Sequence, residues 1–173
     1  MKFTPLILSS LILLSTWVHA KIPHNVLQSA HQMIQQLLTA EEFGTIRNVS
    51  ISETKDGKLT VSLSVDIGEC WGKESLAKEV VKNTMQKLYQ SGLPISEAVV
   101  KIFSRDTSLI VLALGKNQAE KIRWDEIKTG VDFIDHLKSN YSGSINAKEI
   151  EERCIVVEHP RTSRPSPFLR IKD

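Results

Sequence analysis

The chain alternates between two hydrophobic rhythms. From Asn25 onward Val26, Leu27, Ala30, Met33, Ile34, Leu37 and Leu38 recur every three or four positions, and Gly44 stands where a helix would be capped. That spacing is one apolar stripe on an α-helix, opened by Pro23 and Asn25. The period then drops to two. Val49, Ile51 and Glu53 share one face of a strand, and Asp56-Gly57 marks a turn. After the turn Leu59, Val61, Leu63, Val65 and Ile67 point one way, while Lys58, Thr60, Ser62, Ser64 and Asp66 point the other. Side chains alternate across a strand, so this segment predicts a hairpin with one buried and one wet face.

The helical rhythm returns over residues 73–91, with Leu76, Val80, Val81, Met85, Leu88 and Tyr89 on one side and Gly92 as its stop. Two strands follow at 98–104 and 109–114; the second is apolar on both sides and is expected inside the sheet. Trp124, Ile127, Val131, Ile134 and Tyr141 fall on a third helical stripe, predicting a helix over 125–139, and residues 154–157 read as a last buried strand. The order is α-β-β-α-β-β-α-β. It predicts an α+β domain with an antiparallel sheet of four or five strands and its helices packed on one face. The helix–hairpin unit occurs twice without residue-by-residue repetition, and is read as two uses of a common local unit. Over residues 26–103 the order resembles the small BON-type modules of envelope proteins, with Asp56-Gly57 ahead of Leu59 and Val61. Leu63 and Ser64 stand where those modules carry a later glycine, and no functional residue is carried over from the resemblance.

The two ends have a different character. Met1-Lys2 is a short positive start, residues 6–15 are an uncharged Leu/Ile-rich run, and Val18-His19-Ala20 puts compact side chains at a signal-peptidase site. The run is short of the roughly 20 residues that cross a bilayer. Residues 1–20 therefore read as a cleaved leader and 21–158 as one α+β domain, exported to the periplasm or secreted. Residues 159–173 form a basic, proline-punctuated tail, in which Arg161, Arg164, Phe168, Arg170 and Lys172 are the candidate partner-binding side chains.

Charge and cysteines narrow the chemistry. A formal charge of +2, from 22 Lys and Arg against 20 Asp and Glu, makes no case for nucleic acid and leaves only weak attraction to an anionic membrane surface. In an oxidising compartment the two cysteines, Cys70 and Cys154, are expected to pair. A bridge over so long a loop restrains the unfolded chain by about 4–5 kcal/mol in the entropy model. The alternatives are two inert thiols, or a nucleophilic Cys70 with a histidine partner.

Residues 68–75 fall short of a phosphate loop: one residue is missing between Gly68 and Gly72, and Glu74 rather than Ser or Thr follows Lys73. Asp132, Asp135 and His136 stand at helical spacing and are the candidate metal ligands, but a tight site needs a further ligand, such as Glu151, Glu152 or His159. The chain has no G-x-S-x-G elbow, HExxH, CxxC or dinucleotide fingerprint. The expected function is that of a small exported binding or accessory protein without a cofactor. The rival is a secreted hydrolase or metal-dependent enzyme with dispersed active-site residues. Pairing of sheet edges would make the protein a homodimer. Mass spectrometry of the protein from its host should find an N-terminus at Lys21; an intact Met1 in a cytosolic fraction would contradict the export reading.

Overall fold

The computed structural model describes residues 24–37, 44–69, 72–141 and 148–159. Residues 1–20, Cys70 and the tail positions Arg161, Arg164, Phe168, Arg170 and Lys172 lie outside those segments. The chain runs α1 (His24–Leu37), β1 (Thr45–Glu53), β2 (Leu59–Asp66), α2 (Lys73–Gln90), β3 (Ile95–Ser104) and β4 (Thr107–Gly115). A short helix α3 (Lys116–Ala119), helix α4 (Gly130–Tyr141), a 3-10 turn (Ile150–Glu152) and β5 (Cys154–Glu158) complete it.

The five strands form one α+β sheet in the order β1-β2-β3-β4-β5. Three of its neighbour pairs are antiparallel, as the alternation led us to expect, but β2 and β3 run parallel. The parallel pair follows from lengths. Helix α2 has 18 residues and β2 has eight, so each spans roughly 26–27 Å. The helix therefore carries the chain from the end of β2 back to its beginning, where Ile95 pairs with Leu59. A strand launched from that end can only run alongside β2 in the same direction.

The alternation of β2 decides where the core lies. Leu59, Val61, Leu63 and Val65 are no more than 1% exposed, and each such side chain removed from water contributes about 1.5–3 kcal/mol. The register places Val100 and Ile102 of β3, then Leu112 and Ile110 of β4, on that same side. Ala30 and Ile34 of α1, Val81, Met85 and Leu88 of α2, and Phe133, Ile134 and Leu137 of α4 complete the core. Tyr89 ties α2 to the sheet, donating its hydroxyl proton to the Leu114 carbonyl and accepting the Ala98 N–H at 3.1 Å.

The third long helix starts five residues later than its apolar stripe suggests. Thr129 Oγ1 accepts the Asp132 N–H at 3.1 Å, and the Asp132 carboxylate accepts the Thr129 hydroxyl at 2.7 Å, a reciprocal cap that opens α4 at Gly130. Trp124 and Ile127 lie in the turn before it, with the Trp124 ring 5.4 Å from that of Phe133. Of the inferred stripe Ile134 is buried and Trp124, Ile127 and Tyr141 pack against the core, but Val131 is 40% exposed, and Phe133 and Leu137 supply the rest of the buried side of α4.

Gly130 is where α4 meets α2. A Cβ there would overlap the Lys78 carbonyl and the Glu79 amide, well inside van der Waals contact. The Gly130 N–H donates to the Glu79 carboxylate at 2.6 Å, which also receives buried Lys82 at 2.7 Å. Helix propensity alone makes Gly130→Ala stabilising by about 1 kcal/mol. The close crossing reverses that sign: denaturant unfolding should show Gly130→Ala destabilised by about 1–3 kcal/mol, whereas Val131→Ala stays within about 0.5 kcal/mol of wild type.

Candidate functional site

The three long helices take one side of the sheet; on the other, the 3-10 turn Ile150–Glu152 lies over Gly115 at one end. On that open side Asn48, Ser50 and Ser52 of β1 stand opposite Ser64, Ser62 and Thr60 of β2, a field of small neutral hydrogen-bonding groups. Across β3 the character changes. Ser62 pairs with Val99, Val99 with Ala113, and Ala113 with Ile155; Ser64 pairs with Lys101, Lys101 with Val111, and Val111 with Val157. Val99, Val111 and Ile155 are half-buried, while Val157 is 40% exposed and Lys101 is exposed. The face is thus hydroxylic over β1 and β2 and aliphatic over β3 to β5, with an ammonium group on the boundary.

Polar clamps close both ends of this face. At one end the Asp66 carboxylate accepts the N–H groups of Gly68 (2.9 Å) and Arg105 (3.0 Å) and pairs with Arg47. Burial raises its pKa, but these donors outweigh that effect and hold the carboxyl below its usual range. The clamp ties the end of β2 to the β3–β4 turn, where Arg105 takes a left-handed φ of 51°. Arg47 also lies over the Phe103 ring, 5.4 Å from its centroid.

At the other end the 3-10 turn folds over Gly115, whose missing Cβ leaves room for the Glu151 backbone. Lys58 holds Glu151 at 2.6 Å, and Asn117 and Gln118 hold the Glu152 carboxylate at 2.6 and 2.9 Å. At this end lies Glu97, only 7% exposed, with Arg153 at 3.8 Å. Burial raises the Glu97 pKa, and Arg153 offsets it only in part. Sequence reasoning passed over Glu97, yet its place in β3, in register with Thr60 and Gly115, follows from the alternation that buries Ala98, Val100 and Ile102.

The residues singled out from the sequence fall in three places. Asp132 is occupied by the α4 cap, Asp135 is exposed, and the His136 ring stands edge-on to Tyr141 with its centroid 5.9 Å away. Asp132 and His136 do share a cleft of about 450 Å³, but Lys121 and Arg123 line it too. Glu151 and Glu152 are committed to the turn, and His159 lies beside Glu74 and Lys78 at the far end of β5. Among the described residues no three His, Cys, Asp or Glu side chains are grouped to hold a metal ion. Cys154 is buried opposite Leu114 at the start of β5, and burial pushes its thiol up to about 11, so it is protonated and a poor nucleophile at neutral pH. Its expected partner Cys70 is outside the described segments; Glu69, which pairs with Arg105, is at the opposite end of the sheet from Cys154. No helix among the described residues is long and apolar enough to cross a membrane.

A carboxyl with a raised folded-state pKa destabilises the fold once it ionises, so this penalty grows as pH rises from the unfolded value through the folded one. Glu97→Gln should therefore raise the melting temperature at neutral pH and leave it unchanged below about pH 4. A lower melting temperature at neutral pH would show that the Arg153 pair outweighs desolvation. Comparison of the chain with protein-family models, with characterised proteins and with solved structures finds no match.

Proposed function

We propose that the protein is exported, to the periplasm or beyond the cell, and acts there as a small binding or accessory protein without a cofactor. Its working surface is the side of the sheet away from the long helices, docking on a protein partner. The leader pattern in residues 1–20 supports the compartment. The observation that carries the binding reading is the aliphatic strip of Val99, Val111, Ile155 and Val157 lying beside rows of hydroxyls on one exposed face. Aliphatic groups left partly in water gain free energy when a partner covers them, at about 25 cal/mol per Å². Small neutral hydroxyls lose little on desolvation when the partner returns their hydrogen bonds. Both clamps fix the face in place, so a partner meets a surface that is already ordered.

The reading is tested by affinity capture from the native host with a tagged, exported chain. Lys101→Glu and Val157→Glu, both exposed positions on the face, should leave the melting temperature near wild type and cut recovery of the captured polypeptides roughly tenfold or more. Leu76→Glu, on the solvent side of α2 and 40% exposed, should leave recovery unchanged. Loss with the α2 variant and not with the other two would place the working surface among the helices instead.

A further inference from the structure

The two edges of the sheet differ: β5 has five residues and β1 has nine. β1 pairs with β2 on one side, and among the described residues no strand lies on the other. From Asn48 to Glu53 its ladder with β2 is unbroken. The hairpin fixes which backbone groups face outward. The Thr54 N–H donates to the Lys58 carbonyl at 2.8 Å and the Gly57 N–H to the Thr54 carbonyl at 3.1 Å, so Thr54 and Lys58 are a hydrogen-bonded pair. In an antiparallel ladder such pairs alternate, so Ser52 and Ser50 spend their N–H and C=O groups on β2. Those of Val49 and Ile51 turn outward.

An exposed edge of this length is ordinarily guarded by a charge, a proline or a bulge. Residues 48–52 carry neither charge nor proline, and the bulge of β1 falls before them. Arg47, the nearest cation, is folded back onto Asp66. We propose that this edge pairs with the β1 of a second copy, antiparallel, about a two-fold axis perpendicular to the sheet that passes midway between Ser50 and the second copy's Ser50. The character of the segment selects a copy of itself, because it reads the same in both directions: polar, β-branched, Ser, β-branched, polar. Val49 then meets the second copy's Ile51 twice on the helix side, exchanging the backbone groups left free, and Asn48 meets Ser52 twice on the open side. A slip of one residue sets Val49 against Ser50 and mixes the faces. The axis keeps both helix layers on one side and joins the two open faces. The inference rests on the edge alone and is independent of what the open face binds.

Sedimentation of the exported protein over a dilution series should show a dimer. The axis makes Ser50 and its copy a non-hydrogen-bonded pair, with Cα atoms about 4.5 Å apart, within disulfide range. Ser50→Cys should therefore give a covalent dimer under mild oxidation. Ser62→Cys, one strand further in on the same side, should not, and it controls for the native cysteines. Ser50→Lys sets two ammonium groups opposite each other and should weaken the dimer roughly tenfold or more, with circular dichroism unchanged and melting unchanged at dilutions where the wild type is monomeric. A monomer at every concentration, equal crosslinking by the two cysteine variants, or a dimer indifferent to Ser50→Lys would overturn the proposal.

Discussion

The two-residue period of β2 is the constraint on which the rest of the molecule depends. Four consecutive inward positions are Leu or Val, and the four between them are Thr, Ser, Ser and Asp, so a slip of one residue would drive hydroxyls and a carboxylate into the core. That cost fixes the pairing of β2 with both neighbours and thereby decides which side of β1, β3, β4 and β5 the helices cover. The other side inherits its composition by default. It is wet over β1 and β2 because those strands alternate from Asn48 to Ser52 and from Leu59 to Asp66, and aliphatic over β3 to β5 because those strands carry Val, Ala and Ile on both faces.

Ionic groups then set the ends of this frame rather than its middle. Asp66 gathers β1, β2 and the β3–β4 turn at one end. Lys58, Glu151 and Glu152 bring the 3-10 turn against Gly115 at the other. A third junction, Glu79 with Lys82 and the Gly130 N–H, holds α4 on α2. Burial raises the Glu79 pKa, and these donors reverse that effect and lower it, which is the sign expected of a carboxylate serving as an anchor. Glu97 goes the other way, because Arg153 is too distant to repay its desolvation.

Much of the fold was legible because helical and strand periods are local properties. The spacing of Ala30 and Ile34, the alternation from Leu59 to Val65 and the stripe through Val81, Met85 and Leu88 each lead to the observed element and its buried side. The parallel pairing of β2 with β3 was not legible in the same way, since it depends on the length of α2 relative to the strand it recrosses. Trp124 and Ile127 misled for a related reason: they are apolar at helical spacing, but Thr129 and Asp132 begin the helix after them. Of the candidate site, the hydroxyl rows were visible as the wet side of the hairpin. The aliphatic strip beside them was not, because three nonadjacent segments supply it, brought together only by register.

The central claim is that the side of the sheet away from the long helices is where this protein meets its partner outside the cytosol. The most direct measurement is site-specific photocrosslinking in the living host, with the photoreactive side chain placed in turn at Lys101 and at Leu76. The account predicts a discrete adduct from position 101 in the exported fraction and none from position 76. An adduct confined to position 76, or one formed only in the cytosol, would contradict it.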